Sequence, residues 1–65
     1  MILPAEEDLM RSILKQYSGK HSNKVLNEVM RGFSCGPVRA GNLLKEMVRR
    51  GEAQIDGLKV KYNGV

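Results

Sequence analysis

Val38, Asn42 and Lys45 stand at i, i+4 and i+7, with Arg39 next to the first of them. On a helix that spacing places the three side chains on one face. Asparagine can hydrogen-bond adenine bidentately, arginine or lysine can read guanine or hold a phosphate, and valine can touch a thymine methyl. A helix entering a major groove needs three or four such residues on one face, with cations beside them. Arg49 lies further along the same segment, where a cation also stabilises the negative end of a helix dipole. Ser34 and Pro37 fall at the segment's start, where free backbone amides favour anions. Lys59 and Lys61 share one face of a later strand and suit phosphate or minor-groove contact. Each of these residues also has a plainer reading as solvent-facing surface, and lysines on a strand commonly guard against edge pairing.

Other chemistries find no constellation. Catalysis requires converging groups such as a nucleophile with its base, or paired carboxylates in a cleft. Glu6, Glu7 and Asp8 are adjacent at a helix start, where the dipole accounts for them. His21 is the only histidine and sits in a polar stretch; Cys35 is the only cysteine and reads as a small core plug. Together they fall short of the ligands a zinc site needs. Gly36 and Gly41 lack the strand and spacing of a nucleotide-binding loop. The expectation is therefore a chain that is not an enzyme, with no cofactor, no metal and no small-molecule ligand.

Three helices and a hairpin must position the candidate residues. Residues 5–17 read as the first helix, opened by Pro4 and buried through Leu9, Met10, Ile13, Leu14 and Tyr17, with Gly19 to Ser22 as a connector. Leu26, Val29, Met30 and Phe33 give a second helix over residues 23–33. Its start is ambiguous: Ser22 could cap a longer helix that also buries Val25, which is the favoured reading. Alternatively, Asn27 could cap a short one, with Val25 and Leu26 pairing as a strand. The third helix, residues 37–50, runs from Gly36-Pro37 to Gly51 and buries Ala40, Leu43, Leu44 and Met47. At about 100° per residue, Val38, Arg39, Asn42, Lys45, Glu46 and Arg49 turn away from that stripe. Glu46 would repel phosphate and is expected to pair with Arg49 or Arg50. Asp56-Gly57 marks a two-residue type I′ turn in a hairpin over residues 52–62. It would set Ile55 against Leu58 and Ala53 against Val60 on one apolar face, leaving Gln54, Lys59, Glu52 and Lys61 on the other.

The fold class is thus mainly α with a small β-hairpin. Three helices followed by a two-stranded wing is the order of a winged helix-turn-helix, here a single domain of 65 residues. Below roughly 70 to 80 residues one core rarely supplies more than about 3 to 5 kcal/mol, which leaves room for self-association or a bound partner to add stability. The formal charge is +4, with Glu6, Glu7 and Asp8 near the start and most cations after Tyr17, an asymmetry suited to a polyanion. The start Met1-Ile2-Leu3-Pro4 lacks the features of a signal peptide and no apolar run approaches a membrane span. A cytoplasmic protein without a membrane partner is expected.

At and around the third helix, Phe33, Gly36, Arg39, Ala40, Gly41, Leu43, Leu44, Met47 and Gly51 resemble, in uninterrupted register, the gamma domain of bacterial chromosome-segregation DNA translocases. That family is a winged helix that reads oriented DNA signals. Its base-reading asparagine, arginine and glutamate fall on Val38, Asn42 and Lys45 here. The resemblance implies the docking geometry and a backbone role for Arg39, and neither the family's target nor its motor. Small proteins of this shape also resemble bacterial, plasmid or phage transcription regulators. The expected function is sequence-specific binding of double-stranded DNA, as a small transcriptional regulator or a recombination or replication accessory factor. Roughly three to six phosphates would be neutralised per subunit. A protein-docking module, or inhibitor of a nucleic-acid enzyme, is the alternative, using Met1-Ile2-Leu3 and the acidic opening turn as its contact surface. RNA binding ranks below both because aromatic stacking platforms are scarce.

Overall fold

The structure is a computed structural model that describes residues 3–64. It is a small, mostly helical α+β fold with the order α1 (Pro4–Gln16), β1 (Lys20–His21), α2 (Ser22–Phe33), α3 (Pro37–Arg49), β2 (Ala53–Asp56) and β3 (Lys59–Tyr62). The three strands form one antiparallel sheet in the order β1-β3-β2.

Periodicity accounts for the helices. Pro4 occupies the first turn of α1, where its missing N–H costs nothing, and the Leu3 N–H donates to Glu6 Oε1 at 3.1 Å. Met10, Ile13 and Leu14 are buried, while Leu9 lies at the exposed rim of the stripe. In α2, Val25 and Val29 are fully buried, with Leu26, Met30 and Phe33 packed partly against the core. Burial of Val25 belongs to the longer of the two expected helices. Gly32 sits where α1 crosses α2: a Cβ there would lie 3.1 Å from Ile13 Cδ1. Ala40, Leu43, Leu44 and Met47 complete the core from α3, and Ala53 and Val60 from the hairpin. The half-buried Cys35 packs against this cluster, between helices, as a small apolar side chain would.

Three local expectations are corrected. The stretch from Gly19 to Ser22 is no mere connector, because Lys20 and His21 form a third strand opposite Val60 and Lys59. The β3 edge left open by β2 carries carbonyls that need donors: Gly19 N–H donates to Val60 O at 2.7 Å and Ser22 N–H to Leu58 O at 2.8 Å. The N-cap of α2 is His21, not Ser22 or Asn27; its Nδ1 accepts from the Asn23 N–H at 3.0 Å.

The third correction is the hairpin register. Asp56 opposes Lys59, Ile55 opposes Val60, Gln54 opposes Lys61 and Ala53 opposes Tyr62, so the loop residues are Gly57 and Leu58. A type I′ turn at Asp56-Gly57 would force aspartate to positive φ. Shifting the loop by one leaves that conformation to Gly57 alone, at φ 65°, the requirement of a type II′ turn. Side-chain faces survive the shift, but the inner face is not wholly covered. Ile55 is 51 % exposed and Leu58 69 % exposed, so the hairpin tip extends past the helices.

Candidate nucleic-acid interface

The exposed side of α3 follows from what its other side buries. With Ala40, Leu43, Leu44 and Met47 inward, Val38, Asn42, Lys45 and Arg49 align on the opposite side at i, i+4, i+7 and i+11. All four are exposed, Val38 to 77 %, and no element of the fold covers them. Pro37 is exposed at the first position of this helix, with Gly36 at the N-cap. Ser34 is exposed too, in the left-handed conformation at φ 51°, where it ends α2. Its backbone geometry is committed to the turn between helices.

Arg39 does not join this stripe. It lies about a quarter turn away, on the flank toward α1. Its Nη2 donates to Glu6 Oε2 at 2.6 Å. At the other end of α3, Arg50 Nη1 donates to Glu7 Oε1 at 2.8 Å. The acidic opening turn of α1 therefore engages a cation at each end of α3, beyond any effect on its own dipole. The Leu3 amide and the Arg39 guanidinium hold the Glu6 carboxyl below its ordinary range.

Arg49 is also engaged. Glu46 receives its Nε at 2.7 Å on Oε1 and its Nη2 on Oε2, a two-pronged contact within one helix. Arg50 Nε lies 3.8 Å from the same carboxylate. Glu46 thus pairs with both arginines of the helix end, and the Arg49 bond holds its pKa down. The Arg49 side chain is 73 % exposed against 18 % for Glu46, so the cation remains open to solvent while the acid is sheltered.

On the outer face of the sheet, His21, Lys59 and Asp56 form a row across the three strands. Lys61 and Gln54 form the next row, and Lys61 Nζ pairs with Asp56 Oδ2 at 3.2 Å. The fold brings Lys59 and Lys61 together but leaves only Lys59 without an acidic partner. Sequence reasoning did not place His21 on this face, because it read Gly19 to Ser22 as a connector.

The ion pairs sort the charge. Every acidic side chain has a cation within 4.0 Å: Glu6, Glu7, Asp8, Glu28, Glu46, Glu52 and Asp56. Among the described residues Lys15, Lys20, Lys45 and Lys59 have no such partner. The formal surplus of +4 thus resides on lysines, one on α3 and one on the outer face of the hairpin.

Among the described residues no His, Cys, Asp and Glu side chains gather to hold a metal ion, and no helix is long and apolar enough to cross a membrane. Met1 and Ile2, part of the alternative docking surface, lie outside the described residues. No family model, curated protein or solved structure matches the chain.

Proposed function

We propose that the protein is a winged helix-turn-helix that binds double-stranded DNA sequence-specifically, with α3 in the major groove and the hairpin on the backbone. The observation that carries this reading is the uncovered stripe Val38, Asn42, Lys45 and Arg49 on a helix whose opposite side is fully buried. Its chemistry combines an adenine reader, a methyl contact and two cations, the mixture that groove recognition uses. The element order supports the same reading, since α1, β1, α2, α3 and a final hairpin is the sequence of elements such a fold requires. The resemblance of α3 to the translocase gamma domain points the same way, with a target of its own because the base-facing positions differ.

In this reading Asn42 contacts a base, Val38 rests on a thymine methyl, and Lys45 and Lys59 hold phosphate. Arg39 secures α3 against α1 through Glu6 and has at most its outer donors left for the backbone. A regulator of transcription, or an accessory factor in recombination or replication, is the role such a small module would serve. Docking through the acidic opening turn is less favoured, because Glu6 and Glu7 already bind Arg39 and Arg50.

Selection from a randomised duplex pool tests the proposal. An enriched motif is expected, and Asn42→Ala should relax one column of it while Lys59→Ala weakens all sequences alike. Absence of any enriched motif at low salt would reject sequence-specific recognition.

A further inference from the structure

Among the described residues the outer edge of β2 pairs with no other strand. The sheet order β1-β3-β2 leaves β2 as an edge strand. Asn63 N–H donates to Glu52 O at 2.8 Å, which makes Glu52 and Asn63 a directly bonded pair of the ladder. Bonded pairs alternate with non-bonded ones along an antiparallel ladder, so Gln54 and Asp56 turn their backbone groups inward to β3. Ile55 therefore directs its N–H and C=O outward, away from the sheet. Gln54, Ile55, Asp56, Gly57 and Leu58 are all exposed along this edge. Natural edges usually carry a lysine, a proline, a bulge or a covering loop. The segment Ala53–Asp56 has no lysine, proline or bulge, its one charged side chain, Asp56, is paired with Lys61, and Ile55 stands 51 % exposed beside Leu58 at 69 %.

We propose that this edge pairs with the same edge of a second copy, in antiparallel register about a two-fold axis through Ile55, giving a continuous six-stranded sheet. The register is self-complementary, as a two-fold contact must be. Ile55 faces Ile55 of the partner subunit and the two exchange both backbone hydrogen bonds. Gln54 faces the partner's Asp56, where an amide N–H donates to a carboxylate, and symmetry repeats the contact. A register centred one residue earlier would instead set Glu52 against the partner's Asp56, a like-charge pair that disfavours it. The exposed apolar tips at Ile55 and Leu58 of both copies then shield one another. Lys59 and Lys61 stay on the outer face of the joined sheet, unobstructed. The contact is short, so it belongs with weak, concentration-dependent interfaces. It requires nothing of the DNA-binding reading and stands if that reading fails.

Sedimentation equilibrium on the full chain, from micromolar to low-millimolar concentration and without DNA, is the test. A reversible monomer–dimer equilibrium is expected, with the Ile55 amide slowed in hydrogen exchange as concentration rises. Ile55→Lys should leave only monomer, with the far-UV circular dichroism unchanged. Gln54→Asp, which sets like charges across the axis and leaves the apolar tip intact, should raise the dimer dissociation constant by at least about tenfold, a change of about 1.4 kcal/mol. A chain monomeric throughout that range overturns the proposal, whether or not β2 then accepts a peptide from another protein. So does a dimer that is indifferent to both substitutions or that leaves Ile55 exchange unchanged.

Discussion

If α3 docks on DNA as proposed, two neighbouring substitutions on it should move the salt dependence of binding in opposite directions. The candidate phosphate contacts are Lys45, Arg49, Lys59 and Lys61, but Arg49 is held by Glu46 and Lys61 by Asp56. Two contacts are therefore free outright, and two more require an internal pair to open. With a slope of about −0.9 per phosphate in a log–log plot of affinity against salt, two to four contacts give a slope of about −1.8 to −3.6. Between about 50 and 200 mM salt this amounts to a loss of about 12- to 150-fold in affinity, less than the charge count alone suggests. Lys45→Ala removes one contact and should flatten the slope by about 0.9. Glu46→Gln releases the Arg49 guanidinium and should steepen it by about 0.9, so that the same rise in salt costs about 3.5-fold more affinity. Fluorescence anisotropy with a labelled duplex, titrated at several KCl concentrations, measures both slopes. If Lys45→Ala and Glu46→Gln both keep the parent slope, α3 does not face phosphate through this stripe and the interface lies elsewhere. If Glu46→Gln flattens the slope, the account of Arg49 as a masked cation is wrong.

Other outcomes concern stability. Glu6, Glu46 and Glu52 are each held below the ordinary glutamate range, Glu6 by the Leu3 amide and Arg39, Glu46 by Arg49 and Glu52 by Arg11. A lowered folded pKa contributes stability above the unfolded value of about 4.3 and loses it as pH falls toward the folded value. Thermal melts should therefore shift downward below about pH 4.3, with Glu52→Gln showing a smaller shift than the parent. Leu43 is 1 % exposed at the centre of the core. Leu43→Ala should cost about 2 to 5 kcal/mol, comparable to the whole stability of a domain this small, and leave a largely unfolded circular dichroism spectrum. Gly57→Ala places a Cβ at φ 65° in open space, so only backbone strain opposes it. A loss of about 1 to 2 kcal/mol by denaturant melt is expected, with the helical signal retained.

Much of the helical framework was legible because burial imposes its period on the chain. Ala40, Leu43, Leu44 and Met47 mark α3 as one-sided, and the opposite positions Val38, Asn42, Lys45 and Arg49 follow by geometry alone. Strand β1 was not legible, since two residues are too few to show alternation and both Lys20 and His21 are exposed. The hairpin's existence could be read from Asp56-Gly57, but its register turned on which single residue takes positive φ. Least legible was the partner of Arg39. Its place on a helix flank follows from α3, whereas Glu6 reaches it from a helix that lies 33 residues away in the chain. Tertiary ion pairs of this kind leave no local trace, and here they separate the engaged arginines from the unpaired lysines.

The cap at His21 has a consequence for how fast the molecule comes apart. One residue ends β1 and starts α2, so the strand's pairing with β3 and the first turn of α2 share a single seam. That seam joins distant parts of the chain: Tyr62 N–H donates to Ser18 Oγ across 44 residues, at 3.0 Å. The hairpin and the α2–α3 corner need only short loops, whereas closing the seam requires ordering most of the chain first. Contacts that form last contribute little to the transition state of folding. Loosening the cap with His21→Ala should accordingly accelerate unfolding while leaving the folding rate almost untouched. The lifetime of the folded state, more than its speed of formation, is thus set at the point where α2 meets the sheet.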